Sequence, residues 1–171
     1  FRGCAARIHG RRTHAKGITE MPVELTPRGT YGAPTPRGMP PFLMKLGMSV
    51  LSTLMRLRGL HVVRVTTVGA RSGQTRATDL IAVPDGGDAW IIAASFAGSA
   101  QHPAWYFNMA KHPEQIRVRD GKRHTRVDAT TLHGEAAEDG YARLTAMYKG
   151  YAGYLTKTDR EIPVVRLTAV E

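Results

Sequence analysis

Apolar and polar positions change rhythm several times along this chain, and each change marks an element. HVVRVTTVG (61–69) places valines at short intervals and ends on glycine, which predicts a strand. GARSGQT follows as a glycine-bounded loop and RATDLIAV (76–83) as a second strand. PDGGD is a hairpin turn into AWIIAAS (89–95), a third and mostly apolar strand. FAGSAQHP reads as a second loop, leading into a short helix, AWYFNMAKH (104–112), with Pro103 as first-turn residue. QIRVR (115–119) and RHTRVDATTL (123–132) flank Asp120-Gly121, a strong hairpin signal. GEAAEDGYARLTAMYKGYAGYLTKT then reads as a helix with room for an interruption near Gly150 or Gly153, and Pro163 opens a last strand, VVRLTAV. Strands joined by short turns, with few helices inserted late, predict an antiparallel β-barrel with packed helices.

The N-terminal quarter has a different texture. Between Met21 and Pro41 lie Pro22, Pro27, Pro34, Pro36 and Pro40 with Gly29, Gly32 and Gly38, a density that predicts an arm without long helix or paired strand. From Phe42 to Leu57 a narrow polar stripe of Lys45, Ser49, Ser52 and Arg56 recurs at helical spacing on an otherwise apolar segment. This is one amphipathic helix, rich in methionine at Met44, Met48 and Met55. It suits packing on the barrel, a lid over an apolar ligand, or contact with a membrane surface, and it is too short and polar to span a bilayer. Residues 1–40 are thus expected as a flexible basic and Pro/Gly-rich arm, and 41–171 as one domain.

Composition adds direction. The 171 residues suit one well-filled core, and 42% hydrophobic with 22% charged residues is ordinary globular composition. The only cysteine, Cys4, cannot close an intramolecular disulfide, which fits a reducing cytoplasm. Twenty-four Lys and Arg against 14 Asp and Glu favour anionic partners, although much of the excess sits in the basic tail at Arg2, Arg7, Arg11, Arg12 and Lys16. No long apolar run in residues 1–20 precedes a small-residue cleavage pattern, so no secretory signal is expected. The seven histidines form no close metal-ligand pair, and no metal is expected. The serine elbow of hydrolases, the Walker loop and the dinucleotide-binding glycine fingerprint are all missing.

Three stretches carry candidate chemistry. In TTVGARSGQTR two glycines bracket Arg71 and Ser72, with Arg76 following, so the loop can offer N–H groups, a hydroxyl and guanidinium groups to a phosphate; a solvated turn would look similar. HPAWYFN sets Trp105, Tyr106 and Asn108 on one short helix, as a site or as core. Four of the chain's six tyrosines fall between Tyr141 and Tyr154. On an α-helix Tyr148, Tyr151 and Tyr154 would fan over about 120°, giving a face that stacks on a planar ligand and donates hydrogen bonds.

Together with DGG before IIAAS, and with MYKGYAGY and TDREIPVV, these stretches resemble the deazaflavin-dependent nitroreductase family of actinobacteria, in the family's order, from about His61 to Val170. The resemblance implies a split β-barrel related to flavin reductases and pyridoxamine-phosphate oxidases, dimeric in much of the wider superfamily. It also implies an oxidoreductase that passes hydride from reduced coenzyme F420 to a quinone, activated alkene or nitro compound. Under it, Arg71, Ser72, Gly73 and the run Arg76, Ala77, Thr78, Leu80 and Ile81 hold the cofactor's phosphate and ring edge. Ala93, Ala94 and Ser95 line the ring, the helix residues Ala104, Trp105, Tyr106, Phe107 and Asn108 hold its other side, and Tyr151 completes the site. Tyr148 and Ser95 are the implied catalytic hydroxyls, and Tyr148, Tyr154, Phe96 and Ile81 face substrate. The chain departs from the family where it has Ala70, Asp79, Ile81 and Phe96, which points to a remodelled acceptor pocket.

An FMN-dependent reductase on the same barrel is the alternative, because a phosphate loop and an aromatic platform serve either tricycle. A basic nucleic-acid-binding barrel is a weaker one, since RHTRVDATTL has charges but lacks stacking aromatics, and no nucleic-acid partner is expected. The partner is a small-molecule acceptor, the location is the cytoplasm with a membrane contact open through helix 42–57, and the oligomer is a monomer or homodimer.

Overall fold

The computed structural model of the chain describes residues 22–34 and 50–170. The expectations for Cys4, the basic tail, and Met44, Lys45, Met48 and Ser49 lie outside the described residues. Helix α1 (described over 50–57) precedes β1 (Val62–Val68), β2 (Thr75–Ile81), β3 (Val83–Pro84) and β4 (Ala89–Ala93). Then come α2 (Ala104–Lys111), β5 (Arg117–Asp120), β6 (Arg123–Leu132), α3 (Gly134–Met147) and β7 (Val164–Ala169).

The seven strands form one antiparallel sheet in the order β2-β1-β5-β6-β7-β4-β3. Its two outermost strands, β2 and β3, are consecutive in the chain with only Ala82 between them, so the sheet must curl until its edges nearly meet. The single strand expected over 76–83 is broken at that closure. The long β6 joins the halves: Arg123 to Arg126 pair with β5, and Val127 to Leu132 pair with β7. The result is the mainly β split barrel with packed helices that the sequence pointed to.

Alternation along the strands builds two cores. Val63 and Val65 of β1, Val118 of β5, Val127 of β6, and Val165 and Leu167 of β7 point into the barrel, where Trp105, Tyr106 and Met109 of α2 plug it. Strand β4 is buried on both faces, which explains its apolar run: Trp90 and Ile92 point inward, while Ile91 and Ala93 join Leu144 of α3 on the outer face.

Residues 22–34 do not form the loose arm expected from their prolines and glycines. Pro22 bridges Thr130, and Val23 is buried in the barrel core. The Glu24 N–H donates to Thr131 Oγ1 at 3.1 Å and its carbonyl accepts from the Tyr106 hydroxyl. Gly29 and Ala33 donate to the carbonyls of Ala100 and Gly98 at 2.9 and 2.8 Å. A Cβ on Gly32 would lie 2.0 Å from the Ala100 nitrogen, so only glycine allows this approach. Proline density rules out a regular ladder, but it leaves carbonyls, side chains and scattered N–H groups free to dock.

Candidate active site

Helix α1 meets the sheet through an acid that the sequence marked only as a departure from the family. Asp79 points out from β2 with its side chain 6% exposed, and accepts from Arg64 Nε and Nη2 at 2.7 and 3.0 Å. Arg56 of α1 stands 3.9 Å from the same carboxylate, and Ser52 also bonds it. Burial pushes the Asp79 carboxyl up, but the hydrogen bonds from Arg64 and Ser52 and the two guanidinium charges bring it below the usual range. The polar stripe of α1 therefore faces the protein at Ser52 and Arg56. Leu51 and Met55 beside it cover a cleft.

That cleft, about 130 Å³, lies between α1, the end of β2 and the turn after α3. Leu80 and Ile81 form one wall, Ser95 a second, and Tyr148, Tyr151 and Tyr154 a third. Beyond Met55 and Tyr148 an apolar recess of about 290 Å³ continues to Leu54 and Leu60.

The tyrosine wall is not the α-helical face expected. α3 stops at Met147, Tyr148 is extended (φ −138°, ψ 104°), and Lys149–Gly153 form a 3₁₀ turn. The Tyr151 N–H donates to the Tyr148 carbonyl at 3.1 Å and the Tyr154 N–H to that of Tyr151 at 3.0 Å. With three residues per turn, positions three apart eclipse rather than fan, which gathers the rings more tightly than an α-helix would. Tyr141, Tyr148 and Tyr154 all pack edge-on to Tyr151, with centroids 5.8, 6.0 and 5.5 Å away. A Cβ on Gly150 would lie 2.3 Å from the Tyr148 ring, so glycine lets that ring fold over the turn. The Tyr141 hydroxyl donates to the Tyr151 carbonyl at 2.8 Å. Burial, then the neighbouring Tyr154, pushes the Tyr141 phenol up to about 12, and burial pushes Tyr151 and Tyr154 up as well. These phenols are neutral near pH 7 and able to donate.

The glycine loop is the β1–β2 hairpin, at the far end of β2 from the cleft, about 16 Å from Ile81 to Arg76 at strand rise. Arg71, Ser72 and Gly73 are exposed, and Arg76 Nη2 donates to Gln74 Oε1 at 3.0 Å. Asn108 is buried beneath the loop, accepting from the Ala70 N–H at 2.9 Å and donating to Thr67 Oγ1 at 3.0 Å.

The sequence-derived residues thus divide. Leu80, Ile81, Ser95, Tyr148, Tyr151 and Tyr154 come together around the cleft. Ala77 pairs with Thr66 on the open outer face of β2, while Thr78 pairs with Val65 toward the interior. Ala93 lies in the outer core, and Ala94 is fully buried. Trp105 and Tyr106 fill the barrel, and Ala104 and Phe107 are exposed on α2. Phe96, 41% exposed with φ 44°, does not line the cleft. Leu51, Ser52, Val62 and Asp79 line it without having been singled out as site residues. The methionine-rich helix was the available signal for the first two; nothing local marked Val62. Among the described residues no group of His, Cys, Asp or Glu could hold a metal ion.

The barrel thus carries a hydroxyl-rimmed apolar cleft at one end of an edge strand and exposed arginine side chains at the other. The sequence model of the F420H(2)-dependent quinone reductase family matches residues 44–169, and the chain belongs to that family. It is 35% identical over 107 residues to an F420H(2)-dependent quinone reductase of Mycobacterium tuberculosis, spanning 60% of this chain and 69% of the relative. Among solved structures it resembles an F420-H2 dependent reductase, FDR-A, at 38% identity and TM-score 0.56, covering 62% of this chain and 92% of that one. A second, solved as a domain-swapped dimer, matches at 33% identity and TM-score 0.57, covering 74% and 96%.

Proposed function

We propose that the chain reduces a quinone-like acceptor in the cleft beneath α1, with coenzyme F420 as hydride source. The observation that carries this reading is the convergence of Ser95 and three tyrosines on an apolar cleft in a chain of this family. When bound, the deazaflavin supplies a hydride as a two-electron carrier. The donor set fits it: apolar walls at Leu80 and Ile81 for a flat ring, hydroxyls for its polar edge, and cations for its tail. Arg71, Ser72, Gly73 and Arg76 hold the anionic part, Leu80, Ile81, Ser95 and Tyr151 hold the ring, Ala77 and Thr78 lie on β2 between the two, and Ala93 and Ala94 back the Ser95 wall. Ala104, Trp105, Tyr106, Phe107 and Asn108 support it from α2, Asn108 by fixing the Ala70 amide. Tyr148 and Ser95 donate hydrogen bonds to the acceptor oxygen as negative charge develops there, and a phenol can pass on its proton. Tyr154 and Ile81 shape the acceptor's entry, Phe96 acts only as the neighbour of Ser95 outside the cleft, and Leu51 and Met55 exclude water over it.

A fluorescence titration with oxidised F420 and with FMN tests the assignment, followed by anaerobic reduction of a soluble naphthoquinone. Saturable F420 binding and F420H2-dependent quinone reduction are expected. Tight FMN binding without F420 binding would move the protein to a flavin reductase.

No described helix is long and apolar enough to cross a membrane. Even so, Val50, Leu54 and Leu57 of α1 are 62%, 44% and 80% exposed. We place the protein in the cytoplasm with this face against a membrane surface, where a lipid-soluble quinone would reach the recess beside Leu54. Co-sedimentation with vesicles rich in anionic phosphatidylglycerol checks this; a chain that stays in the supernatant sinks it.

A further inference from the structure

The loop that carries Ser95 has a support whose chemistry is unusual. Arg160 is 4% exposed, and its guanidinium uses all five donors. Nη2 donates to the carbonyls of Ala94 and Ser95 at 3.1 and 2.9 Å, and Nε to that of Ser99 at 3.1 Å. Nη1 donates to the Glu161 carbonyl at 3.0 Å and to His102 Nδ1 at 2.9 Å. All five acceptors are neutral, so a buried cation is solvated here by four backbone carbonyls and an imidazole rather than by an acid. Three of those carbonyls bracket Phe96 and Ala97, which hold φ values of 44° and 54° that side chains of this kind seldom adopt. A turn of that shape persists only where its surroundings fix it.

His102 extends the support. A guanidinium cannot accept, so Nδ1 must be the acceptor, and the ring is neutral with its proton on Nε2. Nε2–H then faces the carbonyls of Thr26 and Pro27 at 2.9 and 3.1 Å, in the docked N-terminal segment. The other groups facing the ring are the Thr26 hydroxyl at 3.2 Å, the Tyr106 and Phe107 rings, and the charge of Glu161. Burial, and then Arg160, holds the imidazole below its usual range, against the raising influence of the two carbonyls and Glu161. Protonation of Nδ1 would break the bond to Arg160 and set two cations against each other.

We propose that Arg160 is the positioning residue of the cleft: it fixes the Ala94–Ser95 wall in its ring-binding form and, through neutral His102, couples that wall to residues 26–27. Arg160 does not line the cleft and acts through backbone it holds. The proposal rests on the reading of the cleft as a deazaflavin site.

Full-length Arg160→Gln, Arg160→Lys and His102→Asn are compared with wild type by three readouts. These are F420 affinity from fluorescence over roughly pH 5 to 8, deuterium uptake of segments 94–102 and 23–33, and melting temperature. Wild type should bind F420 less well as pH falls through the lowered imidazole pKa. Arg160→Gln should bind about tenfold more weakly, the loss of roughly one charge-assisted contact, and take up deuterium faster in both segments. Its acid limb should move up toward the ordinary histidine range, because no cation opposes protonation. Arg160→Lys keeps the charge with fewer donors, so it should keep the limb near wild type and recover part of the affinity. His102→Asn should lose the limb. A lower melting temperature with affinity, limb and uptake in 23–33 all unchanged overturns the proposal, in Arg160→Lys as in Arg160→Gln should the latter not fold. A wild type that fails to bind F420 overturns the functional reading instead; the uptake data and their pH dependence then decide the role of Arg160.

Discussion

The curled sheet divides two apolar cores that share strands but not chemistry. Inside the barrel, Val63, Val65, Ile92, Val127 and Leu167 close around Trp105, Tyr106 and Met109, almost without exposure. The one phenol in that core, Tyr106, donates its hydrogen bond to the Glu24 carbonyl and is used up structurally. On the outer face, Val62, Ile81, Ile91 and Val164 pack on α3 in the same way, but the core stops short at four tyrosines and a cleft. A core that closes on every side needs only volume and shape; one left open at an edge keeps hydroxyls facing space that a ligand can fill. The barrel interior is therefore closed on every side, and the outer wall is the one left open at an edge.

The largest expected effect breaks the inner core. Leu167→Ala removes a fully buried side chain and should lower unfolding free energy by about 2–5 kcal/mol. Urea denaturation measures this, and F420 affinity of the molecules that remain folded should stay within about twofold of wild type. A change of affinity as large as the loss of stability would show that the two cores are not separable.

Next come the cations at the far end of β2, which are outside both cores. Arg71→Ala and Arg76→Ala should each weaken F420 binding by about 1.5–3 kcal/mol, the worth of a charge-assisted hydrogen bond, with melting temperature nearly unchanged. Equal affinity in both variants would take the loop out of the site.

Tyr148→Phe sharpens the comparison on the outer wall. It keeps the ring and removes the hydroxyl, so kcat for a quinone should fall roughly tenfold while F420 affinity changes much less. Stability should be unaffected, in contrast to Leu167→Ala. Unchanged turnover would reduce the tyrosine turn to packing.

The smallest effect is on pH. In the folded chain the Tyr141 phenol is pushed up to about 12 from an ordinary value near 10. The folded state thus holds this proton more tightly than the unfolded chain. Its contribution is fully present below roughly pH 10 and is lost as pH rises from there toward 12. Urea unfolding across that range should show stability falling, and Tyr141→Phe should flatten part of the fall.

Much of this was legible in the sequence because it depends on neighbours along the chain. Asp120-Gly121 and PDGGD marked their turns, valine spacing marked β1, and the mostly apolar AWIIAAS run marked β4. The motifs from TTVGARSGQTR to TDREIPVV were enough to point to the family and its fold. The tyrosine spacing was legible too, although its geometry was not. A period of three reads as a fan on an α-helix and as an eclipsed row on a 3₁₀ turn, and only the end of α3 at Met147 chose between them.

What the sequence by itself determined, then, was the succession along the chain of every strand but the short β3, the short turns between them and the residue types available for a deazaflavin site. Tertiary structure alone decided which of those residues meet. Trp105 and Tyr106 went into the barrel because α2 must plug an otherwise hollow sheet, while Ser95 and the tyrosines stayed at its open edge. Asp79 became the anchor of α1, and Arg160 the clasp of the Ser95 loop, through partners as much as 66 residues away along the chain. Proline-rich residues 22–34 became a docked segment because the barrel offered them acceptors and donors. Such contacts join positions with no local pattern in common, so they exist only once the sheet has curled.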